Sequence, residues 1–129
     1  MNNTIHQTIE LNASPEIIFE LLMDDKKHAE FTGAPAKIGR KASDGFSVWG
    51  GYAVGKNLEI IPNKQIVQTW RASDWPEGVE SKVTFELKAK GDGCELKFTQ
   101  SGVPSEYYKD IEQGWIDNYW DLMKDYLNK

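Results

Sequence analysis

Cysteine is nearly missing from this chain. Its single instance, Cys94, excludes an internal disulfide and fits a reducing compartment. Long apolar runs are missing too. Nothing approaches the ~20 residues that a membrane span requires. Residues 1–11 have neither the basic start nor the apolar stretch of a secretory leader. Positive charge is in the minority: 15 Lys and Arg against 20 Asp and Glu leave a net charge of −5, which argues against nucleic acid held by counterion release. The expectation is a cytoplasmic protein without a membrane span. At 129 residues it should form one domain, residues 1–129, with a core that needs no covalent staples.

The usual carriers of chemistry are equally thin. The two histidines do not complete a metal-ligand set: His6 lies on the polar side of a strand-like run, and His28 lies in a charged helical one. Cys94 follows the Gly91-Asp92-Gly93 turn with no histidine nearby and reads as a small strand residue. There is no Gly-x-Ser-x-Gly elbow and no phosphate-binding glycine loop. Acidic pairs such as Asp24-Asp25 read as solvated, and a working acid or base would need burial. No catalytic residue, metal or cofactor is assigned, and a non-enzyme is expected.

What is present is a clear alternation of structure. Thr4 to Leu11 places Ile5, Ile9 and Leu11 on one face of a strand. Ser14-Pro15-Glu16 is a helix start, with serine as cap, proline in the first turn and glutamate at the positive end of the dipole. That helix should reach Met23, and a second short one should run through Lys26 to Phe31. Strands are then expected at Ala36–Arg40, Phe46–Trp49, Tyr52–Ile61, Gln65–Ala72, Val79–Lys90 and Cys94–Ser101, joined by turn-forming residues. Short connections imply an antiparallel meander. One amphipathic helix follows from Ser105 to Leu127, with Ile111, Trp115, Tyr119, Leu122 and Tyr126 on the face that packs against the sheet. The fold class is α+β: an antiparallel sheet, two short helices and one long C-terminal helix packed over it.

Aromatic residues make up 12% of the chain, five of them tryptophan. Trp70, Phe85, Phe98 and Trp115 have the parity to point between sheet and helix. There they either fill the core or line an apolar pocket. Gln68 and Gln100 share that inward parity, and a buried amide needs partners. Trp75, in the Ser73–Gly78 loop, and Trp120, on the helix flank, are expected to look outward. Trp75 would be a sheet-end cap, a pocket lip or a partner anchor. Trp120 would pack on the first helices or the opening loops, or form a dimer contact. Gly114 in mid-helix implies either the close approach of another element or a bend that opens a cavity.

Several strings in order carry a resemblance. They are Gly55–Ile60, Ile66–Arg71, Ser73-Asp74-Trp75-Pro76-Glu77-Gly78, Ser81–Leu87, Leu96–Pro104, and Gly114-Trp115 with Tyr119-Trp120. Together with the Ser14-Pro15-Glu16 start they resemble the activator of Hsp90 ATPase homologue family, within the START-like (SRPBCC, Bet v 1-like) helix-grip superfamily. The resemblance implies a strand, two short helices, a run of antiparallel strands and a terminal helix gripping the sheet. It implies no fixed catalytic motif. The leading expectation is a non-enzymatic protein holding a hydrophobic or amphipathic small molecule in an internal cavity. Trp70, Phe85, Phe98, Trp115 and Tyr119 would line that cavity, and Gln68 and Gln100 would orient the ligand. The alternative is an interaction module for a chaperone or other protein that works through Trp75. A third reading is an enzyme of the superfamily with a buried acid or base. Oligomeric state is not legible.

Overall fold

Alternation of apolar and polar side chains builds one seven-stranded sheet with every adjacent pair antiparallel. The computed structural model describes residues 2–128. Its strands are β1 (Asn2–Leu11), β2 (Lys37–Ile38), β3 (Gly45–Val48), β4 (Ala53–Ile61), β5 (Gln65–Ala72), β6 (Ser81–Lys90) and β7 (Gly93–Pro104), in the order β1-β7-β6-β5-β4-β3-β2. Strands β2 to β7 therefore form a meander, and β1 closes onto β7 with Ile5 opposite Gln100 and Ile9 opposite Leu96. Because β1 and β2 sit at opposite edges, the chain between them must cross the sheet. Helices α1 (Pro15–Met23) and α2 (Asp25–Thr32) make that crossing.

Local chemistry explains where those helices begin and end. Ser14 caps α1 through a bond from the Ile17 N–H, and Asp24 caps α2 by accepting from the N–H groups of Lys26 and Lys27. Those donors, with Lys27 foremost, hold the Asp24 carboxyl below its ordinary pKa. Gly33, at φ 78°, ends α2 in the left-handed conformation that glycine adopts without strain.

One face of the sheet is dry and the other wet. On the dry face Phe85 lies opposite Phe98, Leu87 opposite Leu96 and Val83 opposite Gln100. All six are buried. The terminal helix covers this face. It starts with a 3₁₀ turn (Ser105–Tyr107) and continues as α3 (Tyr108–Trp115), a π turn (Ile116–Trp120) and α4 (Asp121–Leu127).

The π turn corrects the expected helix stripe. Winding an extra residue into one turn rotates everything beyond it. Tyr119 and Trp120 therefore both become buried, and Met123 with them, while Leu122 and Tyr126 are only partly covered. Trp120 does not look outward. Its indole is 2% exposed, stacks on Trp115 at 5.7 Å, and donates to the Gln7 Oε1 at 2.6 Å. The Gln7 amide also donates to the Glu112 carbonyl at 3.0 Å, while the Ile116 N–H turns to Gln113. One side chain of β1 thus pins the helix just before its irregular turn and at the last residue of that turn.

Candidate functional site

The space between sheet and helix is filled by the rings expected to surround it. Trp115 packs on Phe98 at 4.4 Å, on Tyr119 at 4.5 Å and on Trp70 at 5.8 Å, and Phe85 packs on Phe98 at 5.4 Å. What remains inside, bordered by Gln68, Phe85, His28 and Leu22, is a void of about 20 Å³. That is room for about one water molecule.

The amide and hydroxyl groups of Gln68, Asn57, Ser81 and Gln100 in this interior are engaged with the protein itself. The Gln100 Oε1 accepts from the Trp115 indole at 2.7 Å, and its Nε2 donates to the Ser81 Oγ at 2.9 Å. Ser81 in turn donates to the Trp70 carbonyl at 2.8 Å. The Gln68 amide donates to the Asn57 Oδ1 at 3.0 Å, and Asn57 donates to the carbonyls of Gly39 and Lys41. These networks fix four strands, β4 to β7, and the helix to one another.

His28, assigned from sequence to a charged helix, is 3% exposed. Its Nε2 shares a 3.0 Å hydrogen bond with the Tyr119 hydroxyl, and its Nδ1 has no bonded partner among the described residues. Burial pushes the imidazole from 6.5 down to about 4, although the nearby carbonyls of Leu21 and Leu22 partly offset this. Burial also drives the Tyr119 hydroxyl upward, so both groups are neutral near pH 7. Cys94 is buried, which raises its thiol pKa and keeps it a packing residue. Among the described residues no three His, Cys, Asp or Glu side chains gather as a metal set.

Trp75 is buried too, at 3% exposure, and does not look outward as its loop position implied. It lies edge-on to Trp70 at 5.4 Å and stacks with Tyr107 at 6.1 Å, and its indole N–H has no partner among the described residues. Arg71 holds the loop down by donating to the carbonyls of Trp75 at 2.7 Å, Val79 at 2.9 Å and Pro76. An arginine two residues before the loop was the available signal for this closure.

An open, mostly aromatic space lies at the mouth of the grip. A half-open groove of about 330 Å³ runs between the turn after β3, the end of β5 and the terminal helix. Five aromatic residues line it: Trp49, Tyr52, Trp70, Trp115 and Tyr119. Asp110, Ile111, Gly114 and Asn118 complete the helix side. Of the residues expected to bind a ligand, Trp70, Trp115 and Tyr119 reach the groove. Gln68 and Phe85 border only the small void, and Phe98 and Gln100 border neither.

Trp49, Tyr52, Asp110 and Asn118 were not singled out from sequence. Trp49 heads a Trp-Gly-Gly turn and has φ 55°, in the left-handed region that bulky residues avoid. Holding it there costs about 1–3 kcal/mol, and such strain concentrates at functional sites. Gly114 needs no close neighbour. A Cβ there would meet only Asn118 Nδ2 at 3.7 Å, so the bare backbone serves as groove wall.

A long helix gripping an antiparallel sheet places the chain in the helix-grip, START-like class of folds. More narrowly, residues 12–128 match the family described as activator of Hsp90 ATPase homolog 1-like protein, and the chain belongs to that family. An activator of 90 kDa heat shock protein ATPase homolog from Dictyostelium discoideum is 31% identical over 116 residues, covering 89% of this chain and 30% of that protein. The human homolog 1 is 29% identical over 111 residues, covering 86% of this chain and 33% of that protein. The chain thus spans about a third of the curated relatives it matches. The crystal structure of an HSP90 activator from Plasmodium falciparum superposes with a TM-score of 0.90 at 26% identity, covering 97% of this chain and 96% of that one. The solution structure of an Aha1 dimer from Colwellia psychrerythraea shares the fold, with a TM-score of 0.81 at 23% identity, 97% of this chain and 96% of that one being covered.

Proposed function

We propose that this chain is a non-enzymatic, cytoplasmic binding protein whose site is the groove at the mouth of the grip, and that its ligand is a small amphipathic molecule. The observation behind this reading is a contrast of volumes: about 20 Å³ inside the grip against about 330 Å³ at its mouth. The larger value reaches the range of small-molecule sites, roughly 300–1,000 Å³, and the lining is mostly aromatic with a few polar groups at one side. Trp70, Trp115 and Tyr119 form the floor, and Trp49 and Tyr52 the outer wall. Phe85 and Phe98 support those rings from behind. Gln100 and Gln68 act at one remove by holding Trp115 and the sheet in place.

Native mass spectrometry of gently purified protein tests the reading. A discrete adduct that disappears on denaturation, and that is missing from Trp49→Gly, is the expected result. An adduct unaffected by Trp49→Gly would sink the assignment to this groove.

The second reading, a co-chaperone-like module, is favoured by the Plasmodium falciparum HSP90 activator, whose chain in that structure is almost fully covered by this one. The partner would then be a chaperone of the 90 kDa class. Its test is the ATPase rate of the purified chaperone with and without this chain. An unchanged rate, with no complex in sedimentation, would remove it.

A further inference from the structure

We infer that the groove selects an alkylated ammonium group, a trimethylammonium head carrying a short apolar chain. This inference rests on the small-ligand reading of the groove and adds the chemistry of its occupant.

The first observation is the arrangement of rings. Tyr52 and Trp70 meet at 71°, Trp70 and Trp115 at 46°, Trp115 and Tyr119 at 39°, and Tyr119 and Trp49 at 68°. Rings that turn by such angles from one to the next do not form one stack, and the groove they line carries ring faces and edges together, with Tyr52 the most exposed of them. The negative faces of aromatic rings attract a cation, most strongly when it is shielded from water.

The second observation is charge. The lining contains one carboxylate, Asp110, and neither lysine, arginine nor histidine. Asp74 adds to the negative field, since it and Asp110 both raise the Tyr52 hydroxyl pKa, after the larger effect of burial. An anion would meet a carboxylate and ring faces, both repulsive. A primary ammonium would lose strong hydration for few acceptors, Asp110 and Asn118 among them. An alkylated ammonium has a diffuse charge, sheds water readily and presents methyl groups to the rings. Gly114 leaves the helix side open beside Asp110, where the head would sit.

Tryptophan fluorescence titration decides the matter, because three of the five tryptophans line the groove. The probes are choline and 3,3-dimethylbutan-1-ol, which replaces the charged nitrogen by carbon at nearly unchanged shape. Choline should bind about tenfold more tightly, the amount that a partly shielded cation–π contact supplies. Asp110→Asn, a change at an exposed position, should weaken choline about two- to fivefold and leave the alcohol unaffected. Equal binding of the two probes would overturn the inference while leaving a small-molecule groove intact. Absence of binding by either at millimolar concentration would also overturn it, and native mass spectrometry then judges the groove separately. N-acetyl-trimethyllysine amide separates the sources of the head group. Tighter binding than choline, lost with unmethylated lysine, would support a modified protein chain. Tighter binding of choline esters would support a free small molecule.

Discussion

Replacing Gln100 by leucine would cut the middle out of a buried chain of three hydrogen bonds: Trp115 indole to Gln100, Gln100 to Ser81, and Ser81 to the Trp70 carbonyl. Leucine fills a similar volume, so the cost is polar and not a cavity. The indole N–H, in a ring 4% exposed, would be left without its acceptor. A stranded buried donor costs about 1–3 kcal/mol, and loss of the bond to Ser81 adds about 1 kcal/mol. Ser81 keeps its own acceptor, and the leucine side chain returns about 1 kcal/mol of apolar burial. The net loss is about 2 kcal/mol, which lowers the melting temperature of a domain of this size by roughly 8 °C. Urea denaturation of the wild type, Gln100→Leu, Trp115→Phe and the double variant measures it. With phenylalanine at 115 no indole N–H remains to be stranded, so leucine at 100 should cost about 1–2 kcal/mol less there. A Gln100→Leu variant within ~0.5 kcal/mol of wild type, with no coupling to position 115, would refute this account of the network.

His28 has a folded-state pKa of about 4 against 6.5 unfolded, so its neutral form favours folding. That contribution is complete above pH 6.5 and is lost as pH falls toward 4, up to roughly 3 kcal/mol. The stability gap between the wild type and His28→Gln should therefore shrink from pH 7 to pH 4.5, and a constant gap would contradict it. Two glycines should respond oppositely to alanine. A Cβ at Gly55 would lie 1.9 Å from the Thr69 carbonyl oxygen and 2.7 Å from the Phe46 ring, and Gly55→Ala should cost more than about 3 kcal/mol in a thermal melt. Gly114→Ala should instead gain about 1 kcal/mol of helix stability while weakening whatever occupies the groove. Trp75→Ala should destabilise by about 3–5 kcal/mol. Trp75→Phe, which removes the partnerless indole N–H, should cost about 1–2 kcal/mol. A loss in Trp75→Phe as large as that in Trp75→Ala, measured by urea denaturation, would show that ring packing on Trp70 and Tyr107 does not carry the stability of this loop.

Side-chain parity and capping chemistry carry most of the fold in this chain. Ile5, Ile9 and Leu11 alternate along β1, Phe85 and Leu87 along β6, and Leu96 and Phe98 along β7, so the dry face was readable residue by residue. The caps at Ser14 and Asp24, and the glycine turns, marked element ends to within a few residues. Local pattern could not register the bulge in β4 between Asn57 and Glu59, or the π turn at Ile116–Trp120. Each inserts one residue into a regular repeat and reverses or rotates the side chains beyond it. Trp120 and Trp75 were misplaced for that reason and for a related one. A residue's periodicity says which way it leaves its own element, not what folds over it. For Trp75 the cover is Tyr107 and the loop held by Arg71, which are distant or irregular in sequence.

The sequence by itself determined the strands, the meander of those after the first, the capped helices, the terminal grip and the family, while the pairing of β1 with β7 belongs to the tertiary structure. Those properties rest on periods of two and near four and on turn residues, all of them local quantities. Tertiary structure alone decided where space remains. Rings from β5, β6, β7 and the terminal helix together fill the interior to about 20 Å³, and a strained Trp-Gly-Gly turn leaves about 330 Å³ at the mouth. Volume is the small difference between the size of a frame and the size of the side chains inside it. Both depend on every packed residue at once, so no single segment of the chain contains it.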